Sequence, residues 1–320
     1  MKLEKRKIVI IGCGHVGVST AFCLINQGLC DEIALIDLNE EKVLGEVLDL
    51  SQSIEYMNRN THVKVGRYED CEDAQIVIIT ASVPTPQSGN DRLKMLEPSL
   101  NVMKSIITQI KEHHFDGHLI VVSNPVDLMS YYAYKLSGLP ANQVIGTGTT
   151  LDTARLKYFI AQKIQVDPRS VHAMVIGEHG DSEMIPWSTV RIGGKDIYSV
   201  VQDNQSRLGQ EPYQQMKKDT IQAGWEIFNR KGNTCYGIAS STVGIIRTIL
   251  HNENQILPVS TLLRGEYGQD DLFISVPAII DRSGVREIVE LRMTPQEQEE
   301  FNQSCQRLKS FYDLLNQWAL

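Results

Sequence analysis

The stretch "KIVIIGCGHVG", residues 7–17, limits the fold of this chain more than any other. A short apolar run of β-favouring residues is followed at once by glycines at 12, 14 and 17, and then by the helical pattern "VGVSTAFCLINQG", for which Gly28 is a suitable stop. Glycines at this spacing between a strand and a helix permit a tight turn, a close backbone approach to a pyrophosphate, and close packing of the helix on the strand. His15 and Val16 stand in the first turn of that helix, whose free amides and positive dipole end suit phosphates. The next apolar run, "EIALID", ends on Asp37, twenty residues beyond Gly17. A carboxylate there accepts from both ribose hydroxyls and repels a 2′-phosphate, which points to NAD rather than NADP.

The rest of the first half repeats the pattern. Residues 62–66, 74–80, 118–125 and 143–147 read as further strands, most of them continuously apolar, as parallel strands covered on both faces are. With helical segments between them, they describe an α/β, Rossmann-type doubly wound parallel sheet. The second half changes character. Residues 188–200 read as strand-like runs around the turn Gly193-Gly194, and "DLFISVPAII" and "VREIVELRM" suggest more antiparallel strands. A closing helix is announced by Thr294, Pro295 and Glu297, which form a capping box, with Phe301, Cys305, Leu308, Tyr312 and Leu315 along one face. We expect a dinucleotide-binding domain over 1–146 and an α+β substrate domain over 147–320.

Composition removes several classes. The formal charge of −8 disfavours a nucleic-acid surface, and no apolar run approaches the roughly 18 residues that span a bilayer. The apolar run after "KLEKRK" is too short for a signal peptide. Six scattered cysteines without a C-x-x-C pair read as reduced thiols, so a cytoplasmic protein is expected. His114 and His118 have the i, i+4 spacing of a metal pair, but Gly117 reads as a helix end between them, and no metal is expected.

Three later stretches carry candidate chemistry. "VVSNPVD" places Asn124 at the carboxyl end of a strand, where doubly wound sheets bind ligands. "LDTAR" sets Asp152 and Arg155 on one helical face, and "IGEHGDS" puts His179 between glycines. Singly, these are a surface ion pair and a polar histidine. Together with "GCGHVG", "KGNTCYGIA", "ILHNEN" and "SVPAII", in this order, the chain resembles the NAD-dependent L-lactate/malate dehydrogenase family, and most of all its bacterial L-lactate dehydrogenases.

That resemblance implies a role for each residue. His179 is the acid/base for a 2-oxo/2-hydroxy acid, and Asp152 orients it and stabilises its cation. Arg155 clamps the substrate carboxylate through a bidentate pair. Arg92 polarises the carbonyl, and Asn124 holds the histidine side of the site and the nicotinamide edge. Thr234 lies near the substrate and Ile238 near the nicotinamide. The segment "ASVPTPQSGNDR", residues 81–92, becomes a lid that carries Arg92. Its reader of the substrate side chain is Thr85, Pro86 or Gln87, because the loop is one residue longer than usual. None of the three is cationic, which disfavours oxaloacetate. Pro98 is expected to interrupt the helix after the lid, where Ser99 replaces a frequent asparagine.

The resemblance also marks Lys157 and His172 as the positions at which many bacterial relatives bind fructose 1,6-bisphosphate, although a lysine offers a point charge without a fork. It suggests a homo-oligomer, tetramer or dimer. Reversible pyruvate reduction is therefore expected. The alternatives are an L-2-hydroxy-acid dehydrogenase preferring larger apolar substrates such as 2-oxoisocaproate, and a non-catalytic dinucleotide sensor.

Overall fold

The computed structural model describes residues 5–83 and 92–319, and within them the side chains of residues 5–83 and 96–312. The first half runs β1 (Lys7–Ile11), α1 (His15–Gln27), β2 (Glu32–Ile36), α2 (Glu40–Ser53), β3 (His62–Val65), β4 (Ile76–Ile79), α3 (Arg92–Glu112), β5 (His118–Val121), α4 (Val126–Ser137) and β6 (Val144–Gly146). The second half runs α5 (Thr150–Ile164), β7 (Val171–His172), β8 (Arg191–Ile192), β9 (Lys195–Asp196), α6 (Ile197–Asp203), α7 (Gln205–Leu208), α8 (Pro212–Lys231), α9 (Tyr236–His251), β10 (Gln255–Arg264), β11 (Asp270–Asp281), β12 (Gly284–Ile288) and α10 (Pro295–Ala319).

All six expected strands of the first half form, and they lie parallel in the order β3-β2-β1-β4-β5-β6. The order reverses between β1 and β4, so the glycine turn after β1 opens beside the end of β4. Alternate residues of these strands enter two cores. Ile8, Ile10, Ile76 and Ile78 face α1 and α9, while Val9, Ile11, Val77 and Ile79 face α3, α4 and α10. The sheet does not stop at the middle of the chain. β6 pairs antiparallel with β10 at Gly146↔Ser260, and β11 and β12 extend the sheet to nine strands. A third core, around Leu156, Ile160, Val175 and Met216, packs the small sheet β7-β8-β9 against α5 and α8.

Helix ends follow their local chemistry. Gly28 closes α1 at φ 64°, its amide donating to Ile25 O. At α10 the Thr294 amide donates to Glu297 Oε2 at 2.8 Å and the Glu297 amide to Thr294 Oγ1 at 3.3 Å, the expected capping box. Phe301, Cys305, Leu308 and Tyr312 are buried, and the Leu315 side chain lies outside the described residues.

Four expectations are corrected. α3 runs unbroken through Pro98, because burial of Leu96, Leu100 and Met103 on one face outweighs the missing backbone bond. α3 ends at Glu112 rather than at Gly117, and His114 turns the chain at φ 53°. Gly117 serves a close approach instead, since a Cβ there would lie 2.5 Å from the Gln75 carbonyl oxygen. Around Gly193-Gly194 a two-residue hairpin forms, but "IYSV" is helical: the Asp196 carboxylate caps α6 by accepting from the Ser199 amide at 2.9 Å, with Ile197 and Val200 buried beneath. The last strand ends at Ile288, where Tyr267 ties off the chain by donating its hydroxyl to Val289 O and accepting from the Leu291 amide, both at 2.9 Å.

Towards the amino ends of β1–β3, away from the glycine turn, lies a partly buried ion network. Lys7 meets Asp70 at 2.9 Å and Asp73 at 2.5 Å, and Lys64 meets Asp70 at 2.6 Å and Glu32 at 3.3 Å. Lys5 also pairs with Glu32. Burial resists ionisation of Glu32 and Asp70, but these cations hold both carboxyls down at about 2. Their folded values lie below their unfolded ones. The stabilisation is therefore complete above the ordinary carboxylate range and is lost as pH falls towards 2. Glu32→Gln is expected to cost roughly 2 kcal/mol at neutral pH and to flatten the acid limb of stability, as checked by denaturant unfolding against pH.

Candidate active site

The glycine turn is shaped as its sequence implies. Gly12 sits at φ 105°, and a Cβ there would lie 2.4 Å from the Ala81 amide nitrogen at the end of β4. Gly17 packs α1 onto the turn so closely that a Cβ would lie 2.0 Å from Gly12 O. A Cβ on Gly14, by contrast, would meet nothing within 4 Å. The turn is therefore tight behind and open in front. No side chain caps α1, and no acidic residue stands in its first turn, so its amides remain available to an anion near exposed His15 and half-buried Val16.

Asp37 follows β2 and binds the turn itself. Its Oδ2 accepts from the Cys13 amide at 2.6 Å and its Oδ1 from the Asn39 amide at 3.2 Å. The carboxylate thus braces the turn from the end of β2. An open glycine cradle, free helix amides and an adjacent carboxylate fit a dinucleotide. α9, which packs with α1 in the same core, carries Ile238 against that core.

The reaction site is centred on His179. Its Nδ1 lies 2.6 Å from Asp152 Oδ2, and the other oxygen, Oδ1, accepts from Arg155 Nη1 at 2.8 Å. One carboxylate thus holds both the imidazole and the guanidinium. Asp152 and Arg155 share a face of α5, which two threonines stitch to the segment leading to His179. Thr149 Oγ1 donates to Val175 O at 2.5 Å, and the Val175 amide donates to Thr153 Oγ1 at 2.8 Å. The loop is secured on its other sides as well. The Gly177 amide donates to Ser275 O on β11 at 2.9 Å, and the Glu178 amide donates to Ser304 Oγ on α10 at 2.8 Å.

Two acidic residues missed by the sequence reading complete the surroundings. Asp127, two residues after Pro125, accepts from the His179 amide at 2.8 Å through Oδ2 and from Ser275 Oγ at 3.4 Å through Oδ1. Burial pushes it up to about 6. Its signal was present in "SNPVD", but nothing local paired it with residue 179. Glu183 is 4% exposed, and the ligand atoms of Asp152, His179 and Glu183 lie within 4.8 Å of one another.

The electrostatics follow from this crowding. Burial opposes the imidazolium, but the charge and hydrogen bond of Asp152, with Asp127 behind it, raise His179 to about 9. Burial likewise resists ionisation of Asp152, yet His179 and Arg155 hold it below its ordinary value. His179 keeps about a quarter of its side chain exposed, whereas Asp152 is almost covered. With Nδ1 committed to Asp152, Nε2 is the nitrogen left to serve a ligand.

The remaining candidates fall at different distances from this centre. Asn124 is exposed just beyond β5, beside Ser123, whose hydroxyl donates to Ala81 O at 2.6 Å. Thr234 is half-buried in the loop between α8 and α9. Thr85, Pro86, Gln87 and the side chain of Arg92 lie outside the described residues. Lys157 is half-buried on α5, its ammonium disfavoured by burial, and exposed His172 is on β7.

The sequence model of the lactate/malate dehydrogenase NAD-binding domain matches residues 6–146, and that of the family's α/β C-terminal domain matches residues 149–316. The chain is 46% identical over 311 residues to "L-lactate dehydrogenase 3" of Bacillus thuringiensis subsp. konkukian, covering 97% of this chain and 98% of that protein. It is 46% identical over 309 residues to an L-lactate dehydrogenase of Lactococcus lactis subsp. cremoris, with the same coverage. A crystal structure of the minor L-lactate dehydrogenase from Enterococcus mundtii, in a ligands-bound form, superposes with a TM-score of 0.93 at 45% identity, covering 97% of this chain and 98% of that one.

Asp152→Asn tests the central pair. The isosteric amide removes the charge that supports the imidazolium, so the alkaline limb of any reaction needing protonated His179 should move down by about 1–3 pH units. Turnover at the optimum should fall about 10²–10⁴-fold, as read from steady-state rates across pH.

Proposed function

The chain belongs to the lactate/malate dehydrogenase family, and from that membership we propose that it is an NAD-dependent L-lactate dehydrogenase, moving a hydride reversibly between NADH and pyruvate. The observation that carries this reading is the Asp152 carboxylate shared by His179 and Arg155 at 2.6 and 2.8 Å. The dinucleotide, when bound, supplies or accepts the hydride. Everything else falls to the side chains.

Arg155 offers its remaining guanidinium N–H groups to the substrate carboxylate as a planar pair, which fixes the 2-oxo group with respect to His179. In reduction, Nε2 of the imidazolium donates its proton to the oxygen of the former carbonyl. Asp152 holds Nδ1–H throughout and keeps the ring in the orientation and charge state that this needs. In oxidation, neutral His179 takes the hydroxyl proton. With His179 raised to about 9, the protonated form dominates below that value, so reduction is favoured at neutral pH and declines above it. Arg92 is proposed to add charge stabilisation at the carbonyl oxygen.

The named relatives are lactate dehydrogenases, which favours pyruvate over larger 2-oxo acids. An intact acid/base pair with a carboxylate clamp disfavours a non-catalytic sensor. We also propose a cytoplasmic homo-oligomer, dimer or tetramer, with domains meeting near residue 146. Exposed Leu44 and Leu48 on α2 and Trp225, Ile227 and Phe228 on α8 support association. Among the described residues, no helix is long and apolar enough to cross a membrane.

Loss of NADH absorbance should be compared for pyruvate, 2-oxoisocaproate and oxaloacetate. Pyruvate should give the highest kcat/KM, roughly a hundredfold above oxaloacetate, whose second carboxylate would be buried without a partner. Preference for oxaloacetate would overturn the substrate reading.

A further inference from the structure

The proposed reaction uses Asp152, Arg155 and His179 but leaves a buried carboxyl beside them without a task. Glu183 reaches the site because the chain doubles back after His179. The Glu183 amide donates to Gly180 O at 3.3 Å, and the next residue pairs with Ile176 across an antiparallel bridge. This fold-back returns a carboxyl to within 4.8 Å of both the Asp152 carboxylate and the imidazole. The ion pairs of the cluster are Asp152–His179 and Asp152–Arg155, and Glu183 takes part in neither.

Among the described residues, the charged groups that act most on Glu183 come from three elements. Asp152 and Arg155 come from α5, His179 comes from the same loop, and Lys217 comes from α8, where it pairs with Glu300 at 3.4 Å. Burial and Asp152 disfavour the Glu183 carboxylate, and they prevail over His179, Arg155 and Lys217, so the carboxyl stays well above its ordinary range. With Glu183 neutral, the carboxylate that pairs with His179 and Arg155 is that of Asp152 alone, and a monocarboxylate can approach Arg155 without meeting a further ionised group from the His179 fold-back. Ionised Glu183 would add a second carboxylate within 4.8 Å of Asp152 and His179, and a substrate carboxylate would then enter against that extra buried negative charge.

We propose that Glu183 is a positioning residue for substrate charge: protonated, it leaves Arg155 free to hold the 2-oxo acid carboxylate, and ionised, it repels that carboxylate. The effect acts on binding in the substrate site and so rests on the functional reading above. It makes affinity for 2-oxo acid depend on acidity independently of the proton that His179 donates. Acidification therefore strengthens substrate capture as well as supplying the reacting proton.

Glu183→Gln keeps the shape of a neutral carboxyl and cannot ionise. KM for pyruvate and kcat should be measured for both proteins from about pH 6 to pH 9. In the wild type KM should rise roughly tenfold as Glu183 loses its proton, and Glu183→Gln should lack that phase of the KM–pH curve and keep only the one that belongs to His179. A structural role alone would change KM and kcat without altering the shape of the KM–pH curve.

Infrared difference spectra of the wild type supply a second readout that needs no turnover. A protonated-carboxyl C=O band should be present at the acid end, fade over the same interval as KM rises, and be missing from Glu183→Gln. An unaltered KM–pH curve in Glu183→Gln, or no such band in the wild type, overturns the proposal. Failure of the wild type to oxidise NADH with pyruvate at any pH would instead overturn the functional reading, and the infrared titration would still report the charge of Glu183.

Discussion

The 2.6 Å contact between His179 Nδ1 and Asp152 Oδ2 joins two parts of the chain that are 27 residues apart. It also fixes the chemistry of both partners. An imidazole beside a buried carboxylate is held as its cation, and a buried carboxylate needs that cation, with Arg155 on its second oxygen, to remain ionised. Much of the nearby architecture serves this contact. Thr149 and Thr153 bind α5 to the strand-like segment before His179, Ser275 and Ser304 hold the loop from β11 and α10, and Asp127 fixes the His179 backbone. Elements from both halves of the chain therefore meet on one imidazole.

The second constraint is the open face of the glycine turn. The reversal of strand order between β1 and β4 places that turn at the carboxyl edge of the sheet, and Asp37 braces it from β2. Because β6 pairs with β10, the sheet that carries the turn is continuous with the strands that support the His179 loop. The cofactor cradle and the acid/base pair are thus set by one rigid framework, as hydride transfer between two bound molecules requires.

Much of this was legible in the sequence, because it was written in local pattern. Continuous apolar runs marked β1 to β6, glycine spacing marked the turn, and the i, i+3 spacing of Asp152 and Arg155 put them on one face. What escaped was decided by tertiary context. Pro98 looked like a helix breaker, but the buried face of α3 outweighs one lost backbone bond. "IYSV" has β-favouring residues, yet Asp196 caps it as a helix. Gly117 looked like a helix stop and instead allows a close crossing at Gln75. Asp127 and Glu183 were unremarked carboxyls, since only the folded loop brings them to His179.

The claim on which the rest depends is that Asp152 holds His179 protonated well into the alkaline range. Nitrogen-15 NMR of histidine-labelled protein reads this directly, with a His179→Asn variant assigning one signal among the eight histidines. The His179 ring should titrate near 9, with Nδ1 still carrying its proton when Nε2 has lost its own. Titration at the ordinary histidine value of about 6.5, or a neutral ring protonated on Nε2, would contradict it.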